Sequence, residues 1–283
     1  MHTIDFSTLK TLSVSIEHHI AHIQLSRPEA LNSMIPAFWT ELPAVVRQID
    51  ADAKARVIVI SSQGKHFSAG MDLSVFTEMG KSFNGEPARR AERMRRMVLE
   101  LQDSFNALEE ARIPVLVAMQ GGVIGGAVDM VSAADCRYCT EDAYFTIKET
   151  ELGMTADVGT LQRLPHLIPQ GLVRELAFTG RNMRAQEAQS CGLVNQVFSD
   201  QSSMLAAVMA IAAKIAINSP MAVSGCKEML NYSRDHSVND SLNYMATWQA
   251  GMFQMPDVQE AMTAGQQKRL PEYAPLHKKI SSM

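Results

Sequence analysis

The 283 residues are 46% apolar and 20% charged, with a net charge of −4, the balance of an ordinary soluble globular chain. That charge argues against an extended nucleic-acid surface, and no apolar run reaches the length of a membrane span. The start shows no basic-then-apolar leader and the end no Ser-Lys-Leu, so the expected setting is the cytoplasm.

Residues 11–25, TLSVSIEHHIAHIQL, alternate as two short strands around Glu17-His18-His19. A loop containing Pro28 and Asn32 follows. Residues 36–52 repeat apolar side chains at helical spacing through Phe38, Leu42, Val45, Val46 and Ile49. Arg56 to Ser61 is a continuous apolar strand, the kind buried on both faces. It runs into Ser68-Ala69-Gly70, a small-residue turn that lets a ligand approach the backbone. Residues 74–87 read as a mobile loop, with Gly80, Asn84, Gly85 and Pro87. Residues 88–111 read as a long amphipathic helix with Pro87 near its start. Its basic run, Arg89, Arg90, Arg93, Arg95 and Arg96, suits either phosphate binding or a solvated helix face.

A strand over 113–119 ends in Gly121-Gly122, and Gly125-Gly126 open a small-residue helix through Ala134. Cys136 and Cys139 lie in an alternating strand that parts their sulfurs, so buried thiols fit better than a metal or redox site. Helices are expected at 161–180 and 185–191, a strand at 193–198, and helices at 203–217, 220–232, 238–253 and 257–267, punctuated by Pro220, Pro256 and Pro271. Strands alternating with helices make an α/β core with parallel pairing, taken as residues 1–202. Residues 203–283 form a helical C-terminal region.

The chemistry gathers at two glycine-bearing turns, Ser68-Ala69-Gly70-Met71 and Gly125-Gly126, each following a strand. If those strands are neighbours, the N–H groups of Met71 and Gly126 converge on one oxygen as an oxyanion hole. Chain reversal alone is the competing reading. Three carboxylates lie nearby in sequence: Asp129, Glu149 and Asp157. Asp129 shares a helix face with Gly126. Near one apolar site the three would titrate as a coupled set, raised toward working pH. The alternatives are a helix-start charge or ion pair for Asp129, a solvated turn for Glu149 and an N-cap for Asp157.

The segments LSRPEALNSM, FSAGMDL, PVLVAMQGGVIGGAVDMVSAADCRYCTEDAYF, DVGTLQRLP and GLVNQVF resemble the crotonase (enoyl-CoA hydratase/isomerase) superfamily. IKETELGMTADVGTLQRLP and YSRDHSVNDSLNYMATWQ are most similar to its delta(3,5)-delta(2,4)-dienoyl-CoA isomerases. The resemblance implies a spiral of ββα units, and a helical C-terminal region that builds a homotrimer or homohexamer. It implies an acyl-CoA thioester substrate in fatty-acid β-oxidation, with no separate cofactor and no metal. Its oxyanion donors fall on Met71 and Gly126, and its acidic trio on Asp129, Glu149 and Asp157. Of these, Glu149 and Asp157 would exchange protons with C2 and C6, and Asp129 would orient or tune. CoA contacts fall on the backbone around Ser68, Ala69, Gly70, Asp72 and Leu73 and at Gly125, and on the basic C-terminal position of Lys268 beside Arg269, where a lysine reaches a CoA phosphate. Gly265 stands where many relatives carry an aromatic residue. Hydration of 2-enoyl-CoA, with Asp129 and Glu149 holding the water, is the alternative activity. A non-catalytic RNA- or CoA-binding module resting on the Arg89–Arg96 run is the reading from a different class.

Overall fold

The structure is a computed structural model that describes residues 4–81, 85–253 and 255–279. The chain opens with a hairpin, β1 (Leu12–Glu17) and β2 (Ile20–Leu25), turned at His18 and His19, both at positive φ. Helix α1 (Pro36–Asp52) and strand β3 (Val57–Ser62) follow, then α2 (Leu73–Lys81) and α3 (Pro87–Glu110). Next come β4 (Val115–Met119), β5 (Gly122–Ile124), α4 (Gly126–Ser132), β6 (Cys136–Thr140) and β7 (Tyr144–Thr146). The core closes with α5 (Thr160–Arg163), α6 (Gln170–Thr179), β8 (Met183–Arg184), α7 (Ala185–Ser190) and β9 (Gln196–Phe198). Four helices end the chain: α8 (Gln201–Ala216), α9 (Pro220–Ser233), α10 (Val238–Met252) and α11 (Met255–Gln267).

The strands form two sheets. The larger runs β1-β2-β3-β4-β6-β9, parallel throughout except for the β1–β2 hairpin; the smaller runs β5-β7-β8. Single parallel bridges, Met34–Met71 and Ser68–Val123, extend the pattern of the small sheet toward earlier turns of the chain. Each turn therefore lays a segment in the large sheet and a second in the small one, and then turns into a helix. This is the spiral of ββα units. It stacks Met34, Met71 and the β5–α4 junction from consecutive turns on one side of the molecule.

Strand β3 is buried on both faces. Ile58 and Ile60 enter the main core with Phe38, Leu42 and Phe105, while Val57 and Val59 meet Val208 and Ala212 of α8. The period-2 alternation of a strand sorts those side chains between two layers. Lys227 of α9 is buried yet satisfied, donating to the carbonyls of Leu108 and Ile113 and pairing with Asp135 at 2.9 Å. It caps the C-terminal end of α3, where a helix leaves carbonyls free. Helix α10 buries none of its residues and α11 only Ala264.

Residues 74–87 do not form the expected loop. They begin inside α2, whose first turn Asp72 caps by accepting the Ser74 N–H at 2.9 Å; residues 82–84 of that stretch lie outside the described residues. The small sheet was also not foreseen, because strands of three residues leave no periodic pattern. Among the described residues no single helix is long and apolar enough to cross a membrane.

Candidate active site

The two glycine turns touch. A Cβ added to Gly70 would strike the Ile124 carbonyl and lie 3.2 Å from the Gly126 nitrogen. The Met34 bridge uses Gly70 and Asp72: Met34 N–H donates to Gly70 O at 2.8 Å, and Asp72 N–H donates to Met34 O at 3.1 Å. In an extended segment the intervening amide points the other way, so Met71 N–H faces the start of α4. There Gly126 supplies the first N–H of a helix, a donor with no intrahelical partner. Among the described residues neither Met71 N–H nor Gly126 N–H has an acceptor. A Cβ on Gly126 would stand 3.7 Å from the Met71 nitrogen, 3.3 Å from Met34 Sδ and 3.6 Å from Trp39 Cη2. Met34 and Trp39 thus wall the small space beside both donors. Sequence reasoning passed over both: Met34 falls in the expected loop, and Trp39 lies within the helix expected at 36–52 without being singled out.

Three carboxylates border this corner. Asp129, 1% exposed on α4, accepts the Thr160 N–H at 2.6 Å through Oδ1, while its Oδ2 is buried without a partner. Burial raises its pKa to about 6, the Thr160 bonds and the charge of Arg163 oppose the rise, and the charge of Asp157 adds to it. Glu149 opens a 3-10 turn after β7, and Gly125 sits against it: an added Cβ there would be 3.1 Å from Glu149 Oε1. Glu149 Oε2 is buried and unpartnered. Burial, then the charges of Asp129 and Asp157, raise its pKa to about 7, against bonds from the Glu149 and Lys148 amides. Asp157 is half-buried, and burial raises its pKa against a bond from its own amide. Asp129 does lie in the first turn of α4, as a helix-start charge would, but the other simple structural readings of these acids fail. Asp129 makes no ion pair among the described residues, Glu149 is not a solvated turn, and the N-cap of α5 is Gly159, not Asp157. An unpartnered oxygen on a buried carboxylate is costly unless the group is protonated or meets a ligand.

The remaining residues divide. Ser68 is fully buried and committed: its hydroxyl donates to Asn32 O at 2.8 Å and accepts from Gly70 N–H at 3.1 Å. The Asp72 carboxylate is engaged within the chain: Ser33 Oγ donates to it at 2.6 Å and it caps α2, bonds that hold its pKa down to about 2. Ala69 spends its N–H on Leu31 O, and Gly125 spends its own on Thr146 O. Leu73 is 75% exposed at the rim. Lys268 is exposed past α11 in a left-handed conformation, and Arg269 beside it is paired with Glu260 at 2.5 Å. Of the basic run on α3, Arg89 pairs with Glu86 and Arg96 with Glu92. All four cysteines are free, and among the described residues no cluster of three or more His, Cys, Asp or Glu could hold a metal ion.

The arrangement can bind an oxygen that gains negative charge, through two fixed amides, and can move protons beside it with acids that titrate near neutrality. Residues 15–275 match the family described as Enoyl-CoA hydratase/isomerase. The mitochondrial delta(3,5)-delta(2,4)-dienoyl-CoA isomerase of Mus musculus is 47% identical over 90% of this chain and 79% of its own length. The peroxisomal protein of that name in Arabidopsis thaliana is 38% identical over 96% and 98%. A solved enoyl-CoA hydratase from Bacillus anthracis is more distant, 31% identical over 93% of this chain and 99% of that one, with a TM-score of 0.83. The expectation of a cytoplasmic setting is overturned by the Mus musculus and Arabidopsis thaliana relatives, which are named as mitochondrial and peroxisomal.

Proposed function

The chain belongs to the enoyl-CoA hydratase/isomerase family, and from that premise we propose that it shifts the double bonds of 3,5-dienoyl-CoA to 2,4-dienoyl-CoA. It is an isomerase of fatty-acid β-oxidation. The observation that carries this reading is the meeting of two acceptor-free amides, on Met71 and Gly126, with three buried or half-buried carboxylates whose proton affinities are raised. The thioester oxygen lies between the two amides. One of Glu149 and Asp157 takes a proton from C2, and the electrons spread through the diene to the oxygen as a dienolate. The other returns a proton to C6, leaving double bonds at C2 and C4. Preorganised amides stabilise the oxyanion because they need no rearrangement as charge develops. Asp129, held by Thr160, orients the set and adds charge that keeps a proton on Glu149. CoA enters as part of the substrate, and these proton transfers call for no further cofactor.

The oligomer proposed is a trimer or a pair of trimers. Leu230, Val238, Leu242 and Met262, on the last three helices, are all more than 60% exposed, apolar side chains that a partner subunit would cover. Light scattering of the purified chain tests this, and a monomer refutes it. The activity is tested with 3,5-dienoyl-CoA and purified, folded protein. Growth of the ultraviolet absorbance of the conjugated 2,4-dienoyl thioester is expected, and its absence overturns the reading.

A further inference from the structure

The segment carrying Asp157 is strapped to α3. Gln102 Nε2 donates to the Asp157 carbonyl at 2.7 Å. Six residues later, Arg163 donates through Nε and Nη2 to Glu109 Oε2 at 3.2 and 2.9 Å, and through Nη2 to Asn106 Oδ1 at 2.7 Å. The pair is largely out of water, with side chains 12% and 19% exposed. The other Glu109 oxygen is taken by Arg234, just past α9. Arg163 Nη1 lies against Gly159, whose φ is +132°, and a Cβ added there would fall on the guanidinium. The next amide, Thr160 N–H, is the donor to Asp129 Oδ1. One guanidinium thus presses on a turn with an active-site acid on each side.

We propose that Arg163 is a positioning residue: pinned by Glu109 and Asn106, it holds the Gly159–Thr160 turn so that Asp157 and the Thr160 amide both meet Asp129. Lysine would not serve equally, because the planar fork spans two acceptors while its face covers Gly159. Arg163 also supplies the positive charge that favours ionised Asp129, against burial and the charge of Asp157. Glu149, whose own proton affinity Asp129 raises, is the other acid facing that carboxylate. Substrate does not have to touch Arg163 for any of this.

The kinetic arm of the test rests on the isomerase reading; the titration arm does not. The carboxyl carbon of Asp129 is titrated by NMR in the substrate-free protein, assigned by its loss in Asp129→Asn, and compared in Arg163→Met and Glu109→Gln. Removing the cation moves the Asp129 midpoint up by about 0.5–1 pH unit. Glu109→Gln keeps an acceptor, removes the neutralising charge and moves the midpoint down. With 3,5-dienoyl-CoA, Arg163→Met lowers kcat at least tenfold (by about 1.4 kcal/mol) while KM stays near its original value. Unchanged midpoints in folded variants overturn the proposal, as does a loss confined to KM. If Arg163→Met does not fold, the downward shift in Glu109→Gln decides, and its absence overturns the proposal. If the unsubstituted protein fails to isomerise while the midpoints shift in opposite directions, the assigned reaction fails and the role of Arg163 stands.

Discussion

Gly126→Ala separates the oxyanion contact from the fold. The added methyl carbon stands 3.3 Å from Met34 Sδ and 3.6 Å from Trp39 Cη2, so a flexible thioether has only to yield by a few tenths of an ångström. Gly126 is the first residue of α4 and is not among the positive-φ glycines, and alanine in a helix is worth up to about 0.5–1 kcal/mol over glycine. The melting temperature should therefore hold or rise. The same methyl lies 3.7 Å from the Met71 nitrogen, whereas the substrate oxygen has to sit about 2.9 Å from that nitrogen. The methyl enters the small space beside both donors, and the expected result is that it crowds the oxygen away from them. Loss of one such donor costs about 10²–10³ in rate, roughly 3–4 kcal/mol, and displacement from both costs at least as much. The assay is kcat/KM from the absorbance of the 2,4-dienoyl product, run beside a thermal melt. A folded variant whose kcat/KM equals that of the unsubstituted protein would refute the proposed position of the thioester oxygen.

Asp157→Asn removes one proton-transfer group while keeping its shape, so isomerisation should fall by about 10²–10⁴; hydration of 2-enoyl-CoA surviving beside undiminished isomerisation would contradict its role. Asp129→Asn should raise stability in a pH-dependent way. The folded carboxyl holds its proton up to about pH 6 instead of the ordinary 3.8, so its burial is harmless below about pH 4. The penalty grows as pH rises through 6, to on the order of 3 kcal/mol. Urea midpoints at pH 4 and pH 8 check this, with a gain for Asp129→Asn expected only at pH 8. Asp72→Ala should lower stability by about 0.5–2 kcal/mol through loss of the α2 cap and leave kcat almost untouched, as denaturation and steady-state kinetics will show.

Long periodic elements were legible. The β1–β2 hairpin, α1, β3, α3 and the last four helices follow from alternation and helical spacing in TLSVSIEHHIAHIQL and its successors. The short strands β5 and β7 were not, because three residues cannot display a period and their pairing is set by the spiral. Helix α2 hid behind Gly80, Asn84, Gly85 and Pro87; its start depends on the Asp72 cap, a local side-chain bond that no periodic pattern announces. The residues alone placed Asp157 beside Asp129 and Glu149 but left an N-cap equally open, and the resemblance weighted it toward catalysis. What ties its segment to α3 is Gln102 and Arg163 reaching across from and to that helix, contacts about fifty-five residues apart in the chain that no local pattern encodes. Met34 and Trp39 were invisible for the same reason: each is an ordinary apolar residue until Gly126 is placed beside it.

The most direct test is conversion of 3,5-dienoyl-CoA in deuterium oxide, with the label located in the product by NMR. If separate carboxylates serve the two carbons, the proton returned to C6 comes from an acid already equilibrated with solvent. The 2,4-dienoyl product should then carry deuterium at C6 and no added oxygen. A hydroxyacyl product, or a conjugated diene whose C6 bears only the protium lifted from C2, would contradict the two-acid account.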